Sequence, residues 1–393
     1  MTRSVIVSAV RTAFGAYGKS LKDVPATDLG AIVIREAVAR AGIEGGMVDN
    51  VFMGMVVQAG AGQIPSRQAT IKAGLPVEVP SDTINKVCAS SLRAVNLADA
   101  LIRAGDAHII VAGGMENMSR VPYYVEGARW GYRMGDGKLV DGMIKDGLWC
   151  AFGDCHMGVH GSRVAAEFEI SRQAQDEWAY RSQMRAVAAI EKGLFKEEIV
   201  PVEVPQRKGP PVTFDTDEQP RPDTTLEKLA ALRPVFEEDG TVTAGNAPGI
   251  NDGASALVVM SEDKARELGI EPLATIVSQG TASAEPPYLA TVPALAAKVA
   301  LERAGLTADD LAVIEVNEAF AAVALTSIKI GGWDPEKVNP NGGAIALGHP
   351  IGASGGRILM TLIYELRRRG GGYGLATICS GAAQGEATVV KVE

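Results

Sequence analysis

Two cysteines and one histidine occupy positions from which they could carry nucleophilic and acid–base chemistry. Cys88 lies in Ile84-Asn-Lys-Val-Cys-Ala-Ser-Ser-Leu92, where an extended run meets a helix that starts near Ser90. A cysteine there feels the helix N-terminal dipole and free backbone N–H groups, which favour thiolate over thiol. His349 lies in Asn341-Gly-Gly-Ala-Ile-Ala-Leu-Gly-His-Pro-Ile-Gly-Ala-Ser-Gly355. Glycines let that backbone approach a ligand closely and Pro350 stiffens the turn, so the imidazole can accept a thiol proton or donate to an oxyanion. Cys379, in Thr377-Ile-Cys-Ser-Gly-Ala-Ala-Gln-Gly385, follows a strand and enters a glycine-containing turn, so its thiol is expected to emerge at a sheet edge. Singly, each of the three reads equally as a packing residue. Jointly they gain weight if two halves of the chain bring strand ends and glycine loops together.

The elements that must position them show a weak repeat. In the first half, Val5–Val10 reads as a strand, Asp28–Ala41 as a helix ended by Gly42, Val51–Val57 and Ile109–Ala112 as strands, and Ser90–Ala104 as a helix with apolar faces and alanine spacers. Near the C-terminus the order recurs as helix Pro293–Ala304, strand Leu311–Val316, helix Ala353–Arg369 and strand Leu375–Ile378. The segments Val38-Ala-Arg-Ala-Gly-Ile43 and Val299-Ala-Leu-Glu-Arg-Ala-Gly-Leu306 match between halves. Stacking two such α/β halves would sandwich their small-residue helices between sheets. Residues 121–249, dense in turn formers around helix Arg172–Lys192, fall outside the repeat as an insertion that can cover a site.

Bulk composition narrows the partners. With 393 residues the chain has room for two or three domains, and its 5% aromatic content suits stacked helices and sheets. A net charge of −9 opposes a general role on nucleic acid or anionic membrane. Four scattered cysteines are no disulfide framework and point to a reducing compartment. No apolar run approaches membrane-spanning length, and the termini carry neither a secretion signal nor a peroxisomal address, so the expected location is the cytoplasm.

Three motifs are set aside. Gly352-Ala-Ser-Gly-Gly356 fits the serine-hydrolase pattern, but Pro350 and Ile351 stand where a strand should lead into the nucleophile. Gly18-Lys-Ser20 lacks the first glycine of a phosphate loop, which would fall at Ala13. Cys150, Cys155, His156 and His160 are crowded, yet their spacing is not that of a zinc site, and no metal is expected there.

Asn85-Lys-Val-Cys-Ala-Ser90, Asn317-Glu-Ala-Phe320, Gly342–Gly355 and Cys379-Ser-Gly381 resemble the four active-site blocks of the thiolase family, in the family's order. Similarity also runs through Val111–Glu116 and Thr243–Gly253, so it covers essentially the whole chain; among thiolases it is most similar to bacterial acetyl-CoA acetyltransferases. The resemblance implies a five-layered αβαβα fold: an N-terminal half over 1–120 completed by about 250–270, a loop domain over 121–249 covering the coenzyme A site, and a C-terminal half over 271–393. It implies ping-pong chemistry with Cys88 as nucleophile, His349 as its proton acceptor and Cys379 as the base that removes the α-proton of a second acetyl-CoA. His349 and a water on Asn317 match the family's first oxyanion hole, and the backbone N–H groups of Cys88 and Gly381 its second. The expected partners are acetyl-CoA, acetoacetyl-CoA or other 3-ketoacyl-CoA, and CoA, with no cofactor.

The same resemblance implies coenzyme A contacts from His156, Met157, Arg221, Ala319 and Phe320, and a homotetramer built through residues 125–142. Departures are Pro248, where several relatives have a serine, Ala382 and Ala383 where glycines are frequent, and Ser91 in place of a glycine. These leave a degradative 3-ketoacyl-CoA thiolase of broader chain length as the alternative. A ketoacyl-carrier-protein synthase is opposed by Cys379, and a non-catalytic acyl-CoA-binding relative by the intact quartet Cys88, Asn317, His349 and Cys379.

Overall fold

Runs of Val, Ile, Ala and Met buried on both faces make the strands of one large mixed sheet. The structure is a computed structural model and describes residues 2–393. The strands are β1 (Ser4–Thr12), β2 (Asn50–Gly54), β3 (Ser81–Ile84), β4 (Ile109–Asn117), the two residues each of β5 (Trp149–Cys150) and β6 (Cys155–His156), then β7 (Asn251–Ser261), β8 (Ala274–Ser283), β9 (Leu311–Val316), β10 (Gly372–Ser380) and β11 (Gln384–Val392). The principal helices are α1 (Ala26–Arg40), α2 (Pro65–Lys72), α3 (Ser90–Ala104), α4 (Met157–Glu167), α5 (Arg172–Glu191), α6 (Val292–Ala304), α7 (Ala321–Gly331) and α8 (Ser354–Arg368).

Along the sheet the order is β9-β10-β11-β8-β1-β7-β4-β2-β3, while β5 and β6 pair only with each other. The run β1-β7-β4-β2 repeats as β8-β11-β10-β9. In both, the first two pairings are antiparallel and the third is parallel. The halves join where Ser4, Val5 and Ile6 pair with Ile276, Thr275 and Ala274. Helices α3 and α8 share one core with strands of both halves, through Leu92, Val95, Ile358 and Leu362. Helices α1 and α2 cover the outer face of the first half and α6 and α7 that of the second. The result is the five-layered αβαβα stack.

Several element bounds differ from the sequence reading. The strand expected to reach Val57 ends at Gly54, because the N–H groups of Val56 and Val57 donate to the Glu116 carboxylate rather than to a neighbouring strand. Conversely, the strand expected to stop at Ala112 runs to Asn117. Its Gly113 and Gly114 are not turn residues: a Cβ would lie 2.0 Å from Ser255 O on the first and 1.9 Å from Gly352 O on the second. Leu375–Ile378 extends to Gly372–Ser380, and β7, β8 and β11 go beyond the sequence reading. The insertion is stitched into the core. Arg11, fully buried, bonds Glu198 at 2.7 Å and Asp217 at 2.7 Å, and Ile199–Val200 pairs with β1.

Candidate active site

Cys88, His349 and Cys379 line one apolar cavity of about 290 Å³, together with His156, Met157, Phe236, Pro248, Ala319, Phe320 and Gly381. Cys88 sits on the turn between β3 and α3. Ser90 closes that turn, accepting from Lys86 N at 2.9 Å and donating to Val87 O at 2.6 Å, while Asn85 Oδ1 accepts from Val87 N. Val87 is held at φ 45°, a left-handed conformation that costs a β-branched residue free energy and that persists where surrounding contacts over-determine it. The turn is also fastened to the other half: Lys86 Nζ lies 2.6 Å from Glu386 and 2.9 Å from Thr281 Oγ1.

The backbone N–H groups of Cys88 and Gly381 face the Cys88 sulfur and favour its thiolate, but burial outweighs them and the thiol is pushed up to about 12, with the Glu116 charge adding to the rise. This corrects the sequence expectation. The position at a helix start supplies donors, yet the loss of water costs the anion more than they return.

His349 is oriented by three partners. Its N–H donates to Asn251 Oδ1 at 2.9 Å, and its Nδ1 lies 2.6 Å from Ser354 Oγ. Ser354 spends its one proton on Pro350 O at 2.9 Å, so it accepts from Nδ1–H and leaves the Nε2 lone pair free. Asn317 Nδ2 approaches that Nε2 at 3.5 Å. Burial, and then the charge of Arg357, pushes the imidazole down to about 3, so it is a neutral base at working pH. The loop itself is anchored by Glu116, which accepts from Gly352 N at 3.0 Å as well as from Val56 and Val57.

Cys379 does not emerge at a sheet edge. It lies near the end of β10, paired to Gly385 of β11, and is buried among Leu289, Val292, Ala319 and Phe320. Its pKa is raised by burial and then by the charge of the Cys88 thiolate, so the two sulfurs sense each other. Asn317 follows β9, whose end is fixed by Asn339: Oδ1 accepts from Val316 N at 2.8 Å and Nδ2 donates to Val316 O at 2.9 Å. Its own Oδ1 is buried with no protein partner, which fits a site for a bound water. Glu318 is a buried hub, receiving Trp178 Nε1, Ser182 Oγ, Asn339 Nδ2 and Ile345 N, and it sets the direction of Ala319 and Phe320.

The wall opposite is made by the insertion. His156 caps α4 by accepting from Gly158 N at 3.1 Å and stacks on Phe236 with centroids 4.0 Å apart and planes 8° from parallel. Burial lowers its pKa to about 4, so it presents a neutral ring. Arg221 lies apart from the main cavity, on an adjoining one of about 170 Å³ that shares Ala244 and Ala247 with it. Pro248 does line the main cavity. Ser91, Ala382 and Ala383 do not: Ser91 Oγ accepts from Gly356 N at 2.9 Å, tying α3 to α8, and the two alanines form the β10–β11 turn at φ 60° and 50°. Ser354, Glu116 and Phe236 are site residues that sequence reasoning missed. The available signals were a hydroxyl one helical turn beyond the histidine and an acid ending an otherwise apolar strand.

Apolar walls, two thiols, a neutral imidazole and converging backbone donors make a site for acyl transfer through a covalent thioester, followed by proton abstraction. Among the described residues no helix is long and apolar enough to cross a membrane. Residues 4–263 match the family model for the thiolase N-terminal domain and residues 270–392 that for the thiolase C-terminal domain. The chain is 56% identical over 391 residues to an acetyl-CoA acetyltransferase of Cupriavidus necator, covering 100% of both chains. It is 54% identical to one of Pseudomonas aeruginosa over 98% of each. The crystal structure of the Bacillus anthracis acetyl-CoA acetyltransferase superposes with a TM-score of 0.98 at 41% identity, over 100% of this chain and 99% of that one.

Proposed function

The chain belongs to the thiolase family, and on that premise we propose that it is an acetyl-CoA C-acetyltransferase, which condenses two acetyl-CoA to acetoacetyl-CoA and CoA and runs the thiolysis in reverse. The observation that carries this reading is the meeting of Cys88, His349 and Cys379 on one cavity, with the N–H groups of Cys88 and Gly381 facing the nucleophilic sulfur.

In the first half-reaction Cys88 attacks the thioester carbonyl as its proton passes to the free Nε2 of His349. The tetrahedral oxyanion is received by the two N–H groups, and CoA leaves with the proton of Cys379. Acetylation leaves Cys88 as a neutral thioester beside the Cys379 thiolate. The Cys379 thiolate then takes a proton from the methyl carbon of the second acetyl-CoA. His349 and a water on Asn317 flank the enolate oxygen, and the carbanion attacks the acetyl group on Cys88, whose C–S bond breaks as the released sulfur takes its proton back from His349. No cofactor enters these steps. The adenine nucleotide end of CoA is assigned to the adjoining cavity with Arg221, and the pantetheine to His156, Met157, Ala319 and Phe320 beneath a loop domain over 121–249. Four free cysteines suit a reducing compartment, and the assigned location is the cytoplasm.

A tetramer is supported by the apolar surface of the insertion, where Tyr123, Trp130, Met134 and Leu139 are 60%, 89%, 97% and 66% exposed, because patches of this kind mark association surfaces. Light scattering in solution tests it. Steady-state kinetics in both directions test the activity: acetoacetyl-CoA should have a higher kcat/KM than longer 3-ketoacyl-CoAs. A preference for longer chains would replace this reading with a degradative thiolase.

A further inference from the structure

A second thiol pair lies outside the proposed chemistry. Cys150 and Cys155 are register partners across the β5–β6 hairpin, next to the pair Trp149 and His156. Directly opposed residues of an antiparallel pair share a face. Their Cα atoms are about 4.5 or 5.5 Å apart according to pair type, and both spacings fall within the ~4.4–6.8 Å that a disulfide spans. Gly153 of the intervening turn donates its N–H to the Cys150 sulfur at 3.3 Å, and a Cβ on Gly153 would lie 3.3 Å from the Cys155 sulfur. Both sulfurs therefore rest against the same turn residue. Trp149 Nε1 donates to Asp154 Oδ1 at 2.9 Å and clamps the hairpin shut.

His160, on α4, brings its Nε2 to 3.6 Å from the Cys155 sulfur. Its Nδ1 is buried with no protein partner, so no competing bond commits Nε2 to the donor role. Burial lowers the imidazole's proton affinity and raises that of the Cys155 thiol. At rest the pair is thus a neutral imidazole beside a thiol. Cys155 is partly exposed and Cys150 buried, while Phe152 at the tip is 73% exposed, so a small reagent reaches Cys155 first.

We propose that Cys155 and Cys150, with His160 as proton acceptor, form a thiol–disulfide exchange site that takes a low-molecular-weight disulfide. Cys155 gives its proton to His160 and its thiolate attacks one sulfur of the reagent. The reagent's S–S bond breaks, a mixed disulfide forms on Cys155, and the released thiolate takes the proton from His160. Cys150, losing its proton to His160, then attacks the Cys155 sulfur. The Cys150–Cys155 bond forms and the second half of the reagent leaves as a thiol. Two protein thiols are oxidised by two electrons, and one disulfide is reduced to two thiols.

The test exposes the reduced chain to glutathione disulfide, quenches with acid, and maps thiols by alkylation after denaturation. The expected product is a linked Cys150–Cys155 peptide with Cys88 and Cys379 still alkylatable. Cys150→Ser should stop at glutathione on Cys155, and His160→Gln should slow the first step about 10-fold or more. Glutathione on Cys88, a Cys88–Cys379 link with the hairpin thiols still free, or a wild-type adduct on Cys155 that never closes would overturn the proposal. An unchanged rate in His160→Gln would remove His160 from it. The wild-type map decides the pair without depending on how any variant folds.

Discussion

The two halves of the molecule share a strand order but end it differently. In the N-terminal half β4 is followed by the long connection 118–250, which carries the insertion, before β7 returns; in the C-terminal half the equivalent strands β10 and β11 are joined by the turn 381–383. The inner helices correspond as well, and the segment before each carries a reactive group: Cys88 before α3 and His349 before α8. One topology, used twice, delivers a nucleophile and its base to the same cavity. What differs is the loop after the central strand, which in one half builds the channel wall and in the other closes tightly enough to aim Gly381 N–H at the Cys88 sulfur.

The sharpest way to break this division of labour is to remove one sulfur at a time. Cys379→Ala should lower acetoacetyl-CoA synthesis by roughly 10³-fold or more, while Cys88 is still acetylated and still exchanges labelled CoA into acetyl-CoA. Cys88→Ala should abolish both. Condensation by Cys379→Ala at near wild-type rate would reassign the α-carbon base to His349. Next in size, Asn317→Ala removes the support of the first oxyanion hole and should cost about 10²- to 10³-fold in condensation, with Cys88 acetylation less affected; equal losses in both steps would show that Asn317 serves the whole site.

The join between halves can be probed through Lys86→Met, which strips a cation from the buried Glu386 carboxylate. Loss of about 3 kcal/mol is expected in denaturant unfolding, and no loss would mean that Thr281, Asn96 and Arg93 hold Glu386 without it. Acidity gives a finer test. With Cys88 pushed up to about 12 and His349 down to about 3, alkylation of Cys88 should keep climbing from pH 7 to 10 as thiolate increases. It should show no break near the ordinary histidine range. A plateau above pH 8 would instead reveal a thiolate–imidazolium pair. The smallest effect concerns the tight turn: Ala383→Gly relieves a left-handed alanine at φ 50° and should stabilise by up to about 1 kcal/mol. Destabilisation would show that the buried methyl's packing outweighs its strain.

Long periodic segments and glycine-framed motifs were legible in the sequence. Helix Ser90–Ala104 and strand Leu311–Val316 fall where their patterns put them, and the four blocks carrying Cys88, Asn317, His349 and Cys379 converge on one region. The failures have specific causes. The strand from Ile109 was read only to Ala112 because a sequence does not display the backbone crossing over Gly113 and Gly114. The acidity of Cys88 was misjudged because a dipole argument counts donors but not lost water. Ser354 and Glu116 act through His349 and its loop, and positioning of this kind shows in a single sequence only as a hydroxyl near the histidine and an acid late in an apolar run.

The pairing of β1 with β7 and β8 sets a timetable for synthesis. The first strand leaves the ribosome long before its neighbours, which begin at Asn251 and Ala274. At about 5–20 residues per second, β1 waits roughly 12 to 50 s for the partners on either side of it. Throughout that interval an apolar strand with two open edges must be shielded by α1 or by a chaperone. Slowing translation of the insertion would therefore lower the yield of folded protein while leaving its finished stability unchanged.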